Sequence, residues 1–191
     1  EVAAGLKGIK GISAIEVNIS CPNVEKGGMA FGTDADMSAR VTERVLENSD
    51  KPVIVKLSPN VTDICEIAIS VEKAGAHAVS LINTLTGMAI DIESRTPILA
   101  NISGGLSGPA IRPVALYMVY QVLNAVNIPV IGVGGIVDYR DALQFLIAGA
   151  TAIQVGTANF VNPRTTRHMI EGLKIFCAER GIAQVDEIVG S

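Results

Sequence analysis

The chain has 191 residues and a formal net charge of −4, with 49% hydrophobic and 18% charged residues. At roughly 100–200 residues per domain, this length suits one domain, and so apolar a composition excludes disorder for the bulk of it. The slight acidity argues against a nucleic-acid partner, which rests on a basic patch. No apolar run reaches the ~18 uncharged residues that a membrane-spanning helix needs. There is no Trp and aromatics are only 4%, so the core must be Val, Ile, Leu and Ala, which favours strands buried on both faces of a parallel sheet. Cys21, Cys65 and Cys177 are too scattered for a disulfide framework or a zinc site, and a reducing, cytoplasmic setting is the default. The chain begins at Glu1, without the basic-then-apolar leader of a signal peptide.

In chain order, five near-continuous β-branched runs read as strands: Ala14–Ser20, Val53–Leu57, Ala78–Ile82, Val130–Val133 and Ala152–Val155. Helical patterns alternate with them. Asp36–Glu47 aligns Met37, Val41 and Val45 on one face. Val61–Ala74 has Asn60 or Thr62 as N-cap and stops at Gly75. Thr84–Gly108 reads as a long loop of the kind that forms lids or binding segments, and a helix over Ile111–Val126 follows it. Tyr139–Ala148 has Asp138 as N-cap and Gly149 as its stop, and Arg164–Arg180 ends at Gly181. Strand alternating with helix argues for βα units on a parallel sheet. Two architectures fit: an open doubly wound sheet, or part of an α/β barrel of the (β/α)8 TIM type, whose eight units typically take ~250 residues.

Both architectures bind ligands at the carboxyl ends of the strands, and every predicted strand here ends in polar or glycine chemistry. Asn18-Ile19-Ser20-Cys21-Pro22-Asn23 follows the first, Lys56 and Ser58-Pro59-Asn60 close the second, and Asn83-Thr84 follow the third. Gly134-Gly135 and Gly156-Thr157 end the last two, each just before a helix. Backbone N–H groups at such glycines can approach a phosphate without a Cβ in the way. The same glycines could instead serve tight turns. Lys56 interrupts an apolar strand, where it could face a phosphate or an electron-rich ring, or reach out to solvent. Cys21, in a polar turn, could act as a base or nucleophile. Asn18, Asn23, Asn83 and Thr84 offer the donors and acceptors that a planar ligand with carbonyl and N–H edges requires. Cys65, Cys177, His77 and His168 read as structural or solvated.

These motifs resemble one family along essentially the whole chain. Asn18–Asn23 followed by Gly27-Gly28-Met29-Ala30-Phe31-Gly32-Thr33 is similar to the catalytic loop of dihydroorotate dehydrogenases. Val53–Asn60, Ile82–Leu85, Gly104-Gly105-Leu106-Ser107-Gly108-Pro109, Gly132–Ile136 and Gly156-Thr157 continue the resemblance in order. Cys21, with the glycine-rich runs at 27–33 and 104–109, resembles the catalytic subunit of the NAD-linked class 1B enzymes.

The resemblance implies a cytoplasmic FMN-dependent oxidoreductase that converts dihydroorotate to orotate in pyrimidine biosynthesis. Cys21 would remove the C5 proton while the C6 hydride passes to FMN. Asn18, Asn23, Asn83 and Thr84 would bind the pyrimidine. Asn18, Lys56, Ile82 and Gly108 would contact the flavin, and Gly134, Gly135, Gly156 and Thr157 would hold its phosphate. Electrons would continue to NAD through a partner subunit carrying FAD and a [2Fe–2S] cluster, in a heterotetramer. It further implies that residues 1–191 are a single FMN-binding barrel domain holding the last five βα units, with three N-terminal units missing. Arg112 stands where the resemblance leads one to expect lysine. Two other readings are a different FMN barrel (class 1A fumarate-linked or pyrimidine-reducing) and a truncated, non-catalytic chain.

Overall fold

The computed structural model describes residues 1–20 and 31–191. A short helix, α1 (Val2–Gly5), precedes β1 (Ile15–Asn18) and α2 (Ala35–Glu47); β2 (Val53–Lys56) then leads to α3 (Ile64–Lys73). After β3 (Ala78–Leu81) the chain makes an excursion through β4 (Leu85–Gly87), β5 (Ile90–Asp91), β6 (Thr96–Pro97) and β7 (Gly104–Leu106). A 3-10 turn at Pro109–Ile111 introduces α4 (Arg112–Leu123). The last units are β8 (Val130–Val133) with α5 (Tyr139–Ile147), and β9 (Ala152–Gln154) with α6 (Ala158–Val161) and α7 (Thr165–Arg180).

One parallel sheet runs in the order β1-β2-β3-β8-β9. A single register row crosses it, pairing Asn18 with Lys56, Lys56 with Ser80, Ser80 with Ile131 and Ile131 with Ala152. Three observations decide between the two architectures. The strand order follows the chain, whereas a doubly wound sheet reverses direction at its switch point. Successive helices touch one another, α2 with α3, α3 with α4, α4 with α5 and α5 with α7, so they lie along one side of the sheet. The decisive contact joins the two edges: Gln154 Nε2 on β9 donates to Glu16 Oε2 on β1 at 2.7 Å. At about 4.8 Å between neighbours, the outer strands of a flat five-stranded sheet would stand about 19 Å apart, beyond the joint reach of these two side chains. The sheet is therefore curled, an arc of a (β/α)8 barrel with its helices outside.

Curling divides the strand faces. Val53, Val55, Val79 and Val130 are fully buried beneath the helices, in one core with Ile67, Val71, Val119, Val122 and Phe145. Each such side chain is worth about 1.5–3 kcal/mol of burial. The concave face holds Glu16, Asn18, Ile54, Lys56, Ile131 and Gln154, none of them fully buried. The expectation of strands buried on both faces therefore holds for β3 alone, while β1, β2 and β8 alternate. Polar groups occupy the concave face, and this is what the apolar runs concealed.

Two further expectations change. Residues 84–108 are not a structureless loop: β4 pairs antiparallel with β7, and β5 with β6, making a two-stranded arm. Asn60 ties the base of this arm to the end of β2, its amide donating to the Thr84 carbonyl at 3.0 Å and its Oδ1 accepting from Thr86 N at 2.9 Å. Asn60 is thus no helix cap. The cap of α3 is Asp63, whose carboxylate accepts from Cys65 N at 2.8 Å, because the chain around Ser58–Val61 stays engaged with the arm. Asp138 caps α5 as expected, in a reciprocal capping box with Asp141, and Gly181 closes α7 in the left-handed conformation. Among the described residues, no helix is long and apolar enough to cross a membrane.

The capping assignment makes a direct prediction. Asp63→Ala should lower stability by about 1 kcal/mol, the usual worth of an N-cap carboxylate. Thr62→Ala should stay within about 0.5 kcal/mol of the parent. Urea unfolding of both variants measures the difference, and equal losses would move the cap back to Thr62.

Candidate functional site

The carboxyl ends of the strands open onto a cleft with about 750 Å³ of empty volume, counting the part open to solvent. Lys56 comes from β2. Ile82, Asn83 and Thr84 follow β3, Val133, Gly134, Gly135, Ile136 and Val137 come from the end of β8, and Gln154, Gly156 and Thr157 from the end of β9. Ser107, Gly108 and Pro109 close the rim beside the arm. Apolar walls with a few convergent polar groups are the usual make-up of a small-molecule site.

Period-two geometry explains why Lys56 reaches the cleft: Val53 and Val55 face the helices, so Ile54 and Lys56 face inward. Its ammonium lies 3.6 Å from Glu16 Oε1. The other oxygen of the same carboxylate accepts from Ser80 Oγ at 2.9 Å and from Gln154 Nε2 at 2.7 Å. One carboxylate thus gathers side chains from β2, β3 and β9.

A second network joins the ends of β1 and β3. Asn83 Nδ2 donates to Ser20 Oγ at 2.7 Å and to Asn18 Oδ1 at 3.2 Å, and Ser20 Oγ also donates to Asn18 Oδ1 at 3.0 Å. Asn83 Oδ1 accepts from Thr84 N at 2.8 Å, which fixes the amide's orientation. Asn18 is therefore held against Asn83, although it does not itself line the cleft.

The glycines divide by physical cause. Gly135 has φ +70, and a Cβ there would meet the Gly108 carbonyl oxygen at 2.7 Å and Arg112 Cβ at 2.8 Å. Arg112 is itself held by an ion pair with buried Asp141, whose other oxygen accepts from Val137 N at 2.9 Å. Gly134, at φ +138, faces Ala115 Cβ at 2.6 Å. These two are required by the close approach of β8's end to α4. Gly156 differs, since a Cβ there meets nothing within 4 Å although the residue lines the cleft. Beside it, Thr157 Oγ1 donates to Ser107 Oγ at 2.9 Å, placing two hydroxyls at the rim.

Lys56, Ile82, Asn83, Thr84, Gly108, Gly134, Gly135, Gly156 and Thr157 thus line one cleft, with Asn18 linked to it through Asn83. Cys21 and Asn23 lie outside the described residues. His77 is structural, its Nδ1 accepting from Val53 N at 3.1 Å. Burial, followed by the charge of Asp63, pushes the Cys65 thiol above its ordinary range, which makes it a poor nucleophile. Sequence reasoning missed Glu16, Ser20, Ser80, Ser107 and Gln154. Glu16 could have been found, because a charge two residues before Asn18 in a strand shares its face.

Curved parallel sheet, outer helices and a cleft at the carboxyl ends define a barrel of the ligand-binding kind. A family model described as dihydroorotate dehydrogenase matches residues 1–176, and the chain belongs to that family. Across the whole chain it is 58% identical to the dihydroorotate dehydrogenase B (NAD(+)) catalytic subunit of Trichlorobacter lovleyi and 58% to that of Desulforamulus reducens. It is 56% identical to the corresponding subunit of Geobacter sulfurreducens. The chain spans 63% of the length of these relatives. A crystal structure of DHODH from Eimeria tenella in complex with ferulenol shares the fold, with a TM-score of 0.75 over 93% of this chain and 53% of that one at 21% identity.

The division of the glycines is testable on stability alone. Gly135→Ala should destabilise by about 1–3 kcal/mol through overpacking and backbone strain. Gly156→Ala should leave the urea midpoint unchanged. A matching loss in both would mean that Gly156 also serves the fold.

Proposed function

We propose that the chain provides the flavin- and pyrimidine-binding part of an NAD-linked dihydroorotate dehydrogenase. What carries this reading is the convergence on one cleft of nine of the ten described residues that the sequence nominates. The 58% identity to relatives named as the B-type catalytic subunit supports the NAD-linked choice.

The residues of the cleft suit FMN. Ile82, Ile111, Val133 and Ile136 offer apolar walls for a planar ring. Thr157, Ser107 and the backbone at Gly134, Gly135 and Gly156 offer donors for a phosphate at the ends of the last two strands. Lys56 brings a cation to the same cleft, where it would bind and polarise the ring. FMN bound there supplies the acceptor for the hydride from C6 of dihydroorotate. Asn83 and Thr84, with Asn18 and Asn23, hold the pyrimidine by its carbonyl and N–H edges. Cys21 takes the C5 proton as general base, so that loss of one proton and one hydride leaves the C5–C6 double bond of orotate.

In this reading residues 1–191 belong to one barrel domain and correspond to its last five βα units. The partner is a separate electron-transfer subunit with FAD and a [2Fe–2S] cluster, in a heterotetramer that reduces NAD in the cytoplasm. The names of the relatives, which specify a catalytic subunit and NAD(+), support that division of labour.

The test is made on the complete protein. Cys21→Ala should retain yellow, bound FMN and lose dihydroorotate oxidation by a factor of about 100 or more, the range of a lost general base. Unchanged turnover would remove Cys21 as the base. Calorimetry should show orotate binding more tightly than uracil; the reverse order would point to a pyrimidine-reducing barrel, and failure to take up FMN to a non-catalytic chain.

A further inference from the structure

We propose that Glu16 is a positioning residue: its carboxylate anchors the Lys56 ammonium and sets the net charge that the cleft presents to a bound flavin. The inference rests on the flavin-binding reading above. Glu16 lies outside the cleft lining and is exposed on β1, meeting three side chains with two oxygens. Lys56 Nζ stands 3.6 Å from Oε1, and Ser80 Oγ and Gln154 Nε2 bond Oε2 at 2.9 and 2.7 Å. Lys56 and Gln154 line the cleft, whereas Glu16 does not, and Ser80 is fully buried. Donors from two other strands thus hold the carboxylate in place, so that it can hold the lysine.

The arrangement has an electrostatic consequence. Lys56 alone would present a full positive charge to a ring that gains electrons, favouring the reduced form. With Glu16 behind it, the pair presents a dipole, whose field falls off faster with distance than that of a lone charge. The strength of Lys56 as an electron-attracting group is therefore set by a residue that lines no part of the cleft.

Glu16→Gln isolates this effect, because glutamine keeps the shape and Gln154 can turn its amide to present a carbonyl in place of its N–H. In the intact FMN-loaded protein, anaerobic reduction against indicator dyes should show the reduced-to-oxidised flavin ratio of this variant raised about tenfold at a fixed potential. For a two-electron couple that is a shift of about 30 mV. Lys56→Gln should shift the ratio the other way. In Lys56→Gln/Glu16→Gln the further change from the loss of Glu16 should be clearly smaller than in the parent, since the carboxylate's own charge still acts on the ring but its hold on the lysine no longer does. A parental ratio in Glu16→Gln, with only its thermal midpoint lowered, would make Glu16 a structural strut and overturn the inference. A shift of equal size in the presence and absence of Lys56 would overturn the route through the lysine. Failure of the parent protein to take up FMN would instead overturn the flavin reading, and this inference with it.

Discussion

The curling of one parallel sheet that brings Glu16 on β1 to Gln154 on β9 is the constraint on which the rest of the molecule depends. It joins the two edges of a five-stranded parallel sheet. Hydrogen bonding between neighbouring strands specifies order and register, but it leaves curvature free within the range of ordinary twist. The contact between side chains 138 residues apart reports the curvature that packing of the helices on the outer face selects. Once the edges are brought together, the concave face becomes too small for helices, and these must lie outside. The strand ends then converge instead of spreading along a flat edge, so residues from β2, β3, β8 and β9 come to share one cleft.

The same constraint explains what the sequence disclosed and what it concealed. Strand positions were legible because Val, Ile and Leu dominate the outward face, where the core lies. Asp138 was legible as a cap because its capping box with Asp141 is completed within four residues. Asp63 was not, since three polar candidates precede α3 and the choice among them depends on Asn60 bonding a segment 24 residues away. The arm over 84–108 was hidden for a related reason: its strands are two or three residues long, too short for an alternating pattern to register. As for the site, the strand-end residues were visible one by one. Glu16 is hidden within an apolar run, because its partners lie on three other strands.

The glycine pairs show how fold and ligand compete for one kind of residue. Gly134-Gly135 and Gly156-Thr157 look equivalent in sequence, each ending a strand before a helix. In the structure the first pair is confined by Ala115, Gly108 and Arg112, while Gly156 faces open space. Arg112 reaches this turn only because Asp141 holds it, and Asp141 also accepts from Val137 N and Asp138 N. A single buried carboxylate therefore organises the end of β8, the start of α5 and the side of α4. Charge is conserved where a lysine was expected, but the planar guanidinium adds a directional bond that an ammonium would make less specifically.

Two carboxylates, Glu16 and Asp141, thus lie outside the cleft lining, and each is tied to a cation. Asp141 is buried, and besides its ion pair with Arg112 its carboxylate accepts from the backbone N–H groups of Val137 and Asp138, so its work is to fix a turn. Glu16 is part-exposed and its bonds run to side chains, two of which line the cleft. A carboxylate bonded to backbone stabilises one conformation and is indifferent to what fills the pocket. A carboxylate bonded to the pocket's own lysine feels whatever charge arrives there, and its interaction with that lysine strengthens as a ligand displaces water from the concave face. The barrel's curvature thus brings one side chain on β1 within reach of the pocket's own lysine, and the electrostatics of the site follow from that meeting.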